Sequence, residues 1–115
     1  MATQNIALLT LTQTLSGTVT ANRFVTAAGA QAGADANTLG VSRTSGVATD
    51  KVAVDVMGTA VVEAGAAVAV GATLKADASG RGITWVTSGA KVGLALEAAS
   101  ASGQMIEVLL IPNVA

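Results

Sequence analysis

The chain has 115 residues, enough for one domain with a modest core, and 51% of them are hydrophobic although Phe24 and Trp85 are the only aromatics. Six Lys and Arg against seven Asp and Glu leave a net charge of −1, and the basic residues stand singly, which argues against a nucleic-acid partner because there is neither a phosphate-tracking stripe nor a base-stacking platform. With no His, Cys or Tyr, the chain lacks the usual general base, the thiol nucleophile and most metal ligands, and no apolar run reaches the roughly 18 residues of a membrane span.

Residues 1–18 carry no charge and are rich in Thr, Gln and Leu, with an apolar patch from Ile6 to Leu11. This segment reads either as a first strand or as an N-terminal arm that adds as a strand to a partner, with Ile6, Leu8, Leu9 and Leu11 supplying the fit. An uncharged strand former of this length is an aggregation hazard when its edge is left free, so it needs a covering. The first charge is Arg23, so the basic start of a secretory signal is missing, and a product made and used without export is expected. Residues 19–27 read as a strand by their β-branched and aromatic content, and residues 28–38 as a loop of small polar residues.

The centre alternates with period two. Val52, Val54 and Val56 share one face, with Lys51 and Asp55 near the other. Gly58 is expected to break this strand before Thr59 to Ala64 resumes it. Turns follow at Gly65, Gly71 and Asp77-Ala78-Ser79-Gly80, with strands around Leu74 and over Ile83–Val86. Val92, Leu94 and Leu96 define another apolar face, and Met105 to Ile111 forms the closing strand, which Pro112 stops for want of an N–H. Thirteen Gly interrupt every helical candidate beyond about two turns, which predicts an all-β domain with little helix, a compact small barrel or sandwich over residues 19–115.

Two stretches look alike. Leu39-Gly40-Val41-Ser42-Arg43 leads through a turn to Val52–Val56, and Val92-Gly93-Leu94-Ala95-Leu96 leads through another to Ile106–Leu110. They read either as an internal duplication or as two hairpins that arose independently.

Chemistry is sparse. Ser79-Gly80 and Ser88-Gly89 are turn pairs with no Gly-x-Ser-x-Gly context. The seven carboxylates are isolated among Ala, Val and Ser and read as solvated strand faces rather than a glycosidase pair. Asp77 to Gly82 lacks both the oxygen spacing of a calcium loop and the Lys of a phosphate loop. No lysine has the Met neighbours of a biotin carrier. No catalytic, cofactor-binding or metal-ligating residue is therefore assigned, and the chain is not expected to be an enzyme.

The succession Leu39-Gly40-Val41-Ser42, Val54-Asp55-Val56-Met57-Gly58, Val62 to Val68, Gly71 to Arg81 and Val92 to Ala99 through Ile106 to Leu110 resembles the small Ala/Gly/Val-rich capsid cement, or head decoration, proteins of tailed bacteriophages. The resemblance runs from about residue 36 to 111 and rests on apolar and Gly positions. It implies a virion protein on the outer capsid surface, made in the host bacterial cytoplasm. It implies a compact β-tulip-like fold with an N-terminal arm, and as partners the major capsid protein and two further copies in a homotrimer. The alternative from another class, a β module of a secreted or cell-surface adhesin or spike array, would bring a signal peptide or repeated domains.

Overall fold

The computed structural model describes residues 4–111, which form eight strands and, among these described residues, no helix. The strands are β1 (Ala7–Thr14), β2 (Phe24–Val25), β3 (Gly40–Ser42), β4 (Lys51–Glu63), β5 (Thr73–Ala76), β6 (Gly82–Thr84), β7 (Gly93–Ala95) and β8 (Met105–Leu110). All pair antiparallel in the order β2-β3-β4-β8-β7-β5-β6, with β1 beside β4. The ends of this path meet where the Phe24 N–H donates to the Gly80 carbonyl in the β5–β6 turn, so the sheet curls into a nearly closed barrel, with β1 off the path and paired along one edge only.

The long strand β4 organises the rest. Gly58 does not end it, as the sequence suggested. Its φ of +98°, which a residue with a Cβ adopts only with strain, bends the strand instead, and β4 continues past it into a second set of partners. Before the bend β4 lies between β1 and β3; beyond it, β4 pairs with β8.

The two halves on either side of this bend repeat each other in register. Leu11 opposes Val54, Gln13 opposes Val52 and Thr14 opposes Lys51; Ala60 opposes Val108, Val62 opposes Ile106 and Glu63 opposes Met105. Phe24 pairs with Val41 and Val41 with Asp55, as Thr73 pairs with Leu94 and Leu94 with Leu109. The isolated bridges correspond too, Val19 to Gly46 and Val68 to Ala99. The equivalent positions are 49 apart up to β2 and β5 (15 to 64, 19 to 68, 25 to 74), 53 apart through β3 and β7 (40 to 93, 41 to 94) and 54 apart in the return strands (52 to 106, 54 to 108). The difference of five is absorbed in turns. Of the two readings of the look-alike stretches, the register is that of a duplicated unit: β1 to the bend, then the bend to β8, with β4 closing the first and opening the second.

The cores follow the same map. Leu15, Val19, Val25, Val52 and Val54 form the first, with Leu39 and Val56 at its margin. Their counterparts Ala64, Val68, Leu74, Ile106, Val108, Val92 and Leu110 lie in the second. The second core is the larger, and Phe24, Val41 and Ala32 of the first unit also pack into it. Each fully buried Val or Leu contributes about 1.5–3 kcal/mol, so a chain poor in aromatics still builds two adequate layers. Close strand approach is secured by Gly40 and Gly93, again equivalent positions. A Cβ on Gly40 would collide with the Asp55 carbonyl, and one on Gly93 would come within 2.5 Å of Val108 Cγ1.

Two expected strands differ from their outlines. Residues 19–27 give only the two-residue β2, because Asn22 takes a left-handed φ of 63° and turns the chain just before it. The expected apolar face of Val92, Leu94 and Leu96 is divided: Val92 is buried, but within β7 it is Ala95, opposite Val108, that faces the core. Leu94 and Leu96 are left half-buried on the other side.

Candidate partner-binding surface on strand β1

Strand β1 lies on the outside of the first unit, held by one edge. Its ladder to β4 runs from Thr14 opposite Lys51 to Ala7 opposite Gly58, with irregularities on both sides of Leu9. Past the strand's start, the Ile6 carbonyl accepts from the Thr59 N–H, and the Ile6 N–H donates to Thr59 Oγ1 at 3.0 Å. The Gln13 side chain ties the other end, its Nε2 donating to the carbonyls of Thr26 and Ala27 at 3.0 and 2.9 Å.

The centre of β1 is fixed by a charge. Asp55 on β4 is 1% exposed at its side chain, and both its carboxylate oxygens accept from Arg43 Nε, at 2.8 and 2.9 Å. Thr10 Oγ1 donates to Asp55 Oδ1 at 2.8 Å. Burial pushes the Asp55 carboxyl up, but the hydrogen bonds from Arg43, Thr10 and Asn5, with the guanidinium charge, outweigh it and hold the group below its ordinary value. One carboxylate thus links β1 and β4 with Arg43, the residue that follows β3.

Against this fixed backbone the apolar side chains point outward. Leu8 is 77% exposed, Ile6 53%, Leu9 43% and Leu11 41%. Met57, directly opposite Leu9 across the ladder, is exposed as well. Three of the four residues singled out in the sequence therefore sit on one strand, uncharged along its length, with Ile6 just before its start and a fifth apolar side chain beside them. Met57 was not singled out in the sequence, although alternation places it on the face of β4 opposite Val52, Val54 and Val56. Exposed Val47, Val70, Val86 and Leu109 were equally unmarked.

The carboxylates are mostly structural rather than solvated. Asp55 is buried as described. Glu107 is also buried, its N–H donating to Glu97 Oε1 at 2.9 Å. Glu63 receives Arg23 and Arg81, and Asp35 receives Lys75 Nζ at 2.7 Å. That lysine, hydrogen-bonded to Asp35 and seconded by Ser88, lowers the Asp35 carboxyl below its usual range. Asp77 Oδ1 accepts from the N–H groups of Ser79 and Arg81, which makes residues 77–82 the expected hairpin turn. Among the described residues no three of His, Cys, Asp and Glu gather as a metal site. Trp85 is half-buried, its Nε1 donating to the Gly89 carbonyl and Lys91 Nζ lying 4.5 Å from its ring centre.

No curated protein matches the sequence. Among solved structures, the chain is similar to the N base of the head fiber gp8.5 of bacteriophage phi29, with a TM-score of 0.73 and 19% identity over 93% of this chain and 97% of that one. At that identity the likeness speaks for the fold, a compact all-β domain. The sequence itself matches the model of the phage cement proteins over residues 3–110, nearly its whole length, and the chain belongs to that family.

Proposed function

We propose that this chain is a structural protein of the phage virion that binds the outer surface of the head and reinforces the expanded coat lattice, without catalysing a reaction. The family match over residues 3–110 carries the reading, and the exposed apolar strand β1 gives it a surface. Its partners are the major capsid protein and other copies of itself, in a homotrimer. The first eighteen residues act as the coat-binding element and the remainder as the decoration body, both made in the host cytoplasm.

Ile6, Leu8, Leu9 and Leu11 are the side chains that meet the coat protein. β1 has one edge on β4 and no charge, so a coat segment that lies against it desolvates apolar surface and backbone groups but no ion. Removing a few exposed leucines from water is worth roughly 1.5–3 kcal/mol each at full burial, and a site spanning neighbouring coat subunits exists only on the assembled lattice. A ligand that prefers one state shifts the equilibrium toward it by its differential affinity. Repeated over the shell, modest affinities add up to resistance against internal pressure.

The test is co-sedimentation with purified expanded heads that lack the protein. The wild type is expected to sediment with heads and to raise the temperature at which they release DNA. Leu8→Asp and Ile6→Asp, both on highly exposed side chains, should keep the fold and lose binding at least tenfold. Unchanged binding by both folded variants refutes β1 as the coat surface, and absence of binding by the wild type refutes the reading itself.

A further inference from the structure

The junction between the two units inside one chain has a second, unfilled edition at the chain's two ends. In the second unit the mouth of the core is closed: Ala60, Val62, Val92 and Leu110 are all buried, and Phe24 of the first unit reaches over Gly82 beside Val62 and Leu74. Their counterparts in the first unit are Leu11, Gln13, Leu39 and Val56, and every one is half-buried or exposed. Ala60 is 1% exposed while Leu11, the matching position, is 41% exposed. The first unit's mouth is the same surface without its cover.

The cover is also present twice. Phe24, Val41 and Ala32 are the first-unit residues buried in the second core. The equivalent residues of the second unit are Thr73, Leu94 and Trp85, and all three are only half-buried, Trp85 with Lys91 Nζ 4.5 Å from its ring centre. The chemistry at the matching positions has changed in step. Inside the chain apolar Phe24 lies beside apolar Val62; at the ends the pair is Thr73 and Gln13, a hydroxyl donor and an amide. Gln13 Oε1 is buried and has no hydrogen-bond partner among the described residues, a state that costs free energy until a donor arrives. Bulk differs as well, with small Ala60 and large Phe24 in the same core inside the chain, where the matching positions hold large Leu11 and small Thr73.

We propose that copies of this chain associate head-to-tail, the Thr73/Leu94/Trp85 face of one covering the Leu11/Gln13/Leu39/Val56 mouth of the next. This deepens the self-association in the reading above by assigning it two different surfaces. The contact is heterologous, so it propagates around a ring and does not stop at a two-fold pair. It also covers Leu11 at the inward end of the β1 apolar stripe, which narrows the coat surface proposed above to Ile6, Leu8 and Leu9 in the assembled oligomer.

Sedimentation and light scattering on the full chain test this, with mixing as the deciding step. Leu94→Glu removes the cover and Leu11→Glu the mouth; Thr73→Lys replaces Leu94→Glu should that variant not fold. An unpaired charge pressed into such a contact is costly, so each variant alone should be a folded monomer whose apparent Kd for self-association is raised at least tenfold. Mixed together, they should form a 1:1 pair and nothing larger, because one intact cover meets one intact mouth. A monomeric wild type overturns the proposal, and so does a mixture that stays monomeric, the behaviour of a two-fold contact. A monomeric wild type that still decorates heads leaves the coat-binding reading standing, while an oligomer that ignores heads refutes that reading alone.

Discussion

Phe24 is the side chain on which the union of the two units turns, and its truncation gives a quantitative expectation. It is fully buried, and it packs from β2 of the first unit into the core that holds Val62 and Leu74 of the second. Phe24→Ala removes the ring from a site ringed by backbone and short aliphatics that cannot collapse into the space, so about 3–5 kcal/mol should be lost. For a domain with a total stability of about 5–15 kcal/mol this is a large share. Thr73→Ala, at the equivalent position, has a half-exposed side chain and should cost no more than roughly 0.5 kcal/mol. Urea unfolding followed by Trp85 fluorescence reads both, with the slope m unchanged and the midpoint moved. A loss below about 1 kcal/mol for Phe24→Ala, or equal losses for the two variants, would refute the account of the junction.

Other substitutions test separate layers. Asp55 has its carboxyl held below the ordinary value of about 4; a depressed folded-state pKa stabilises above the unfolded value and is lost as pH falls through the folded one, so wild-type Tm should drop below about pH 4. Asp55→Asn should flatten that acid limb, and an unaltered limb counts against the Arg43–Asp55–Thr10 link. Gly40→Ala should cost on the order of 1–3 kcal/mol by collision with the Asp55 carbonyl, whereas Gly17→Ala, with open space around it, should be neutral or slightly stabilising in the same melts. Val54→Asp places a charge in the first core and should abolish folding by circular dichroism; Ala78→Asp, on an exposed turn, should leave the spectrum intact.

How much of this was legible in the sequence depended on range. The Val52/Val54/Val56 alternation, the turns at Gly71 and Asp77–Gly80, and the closing strand from Met105 are local patterns, and they mark real elements. The look-alike hairpins hinted at duplication because apolar-Gly-apolar spacing survives in both. The duplication of β1 as the latter half of β4 was invisible, since Leu11 and Gln13 share no residue type with Ala60 and Val62; only ladder register relates them. Burial of Asp55 was hidden for a similar reason: its partners Arg43 and Thr10 come from just after β3 and from β1, and no spacing rule brings them together. The apolar residues of β1 were found because charge is absent over a whole segment, which is a signal composition can carry. Their exposure was not, because an apolar run gives no sign of which side will meet solvent.

The sharing of β4 has a kinetic side. A chain of two independent units would fold in two steps, each with its own nucleus. Here the strand that completes the first unit also begins the second, so ordering its thirteen residues prepares both ladders at once. β1 has to wait for it across a loop of more than thirty residues, and β8 across a longer one from the other direction. Such distant closures cost entropy before any contact rewards them, and topologies dominated by them fold in milliseconds to seconds rather than microseconds. During synthesis β1 therefore emerges first and remains without its partner until β4 has left the ribosome. For that interval its leucines are the chain's most exposed aggregation risk, and Gly58, by letting one continuous strand serve two sheets, makes the delay the same event for both halves.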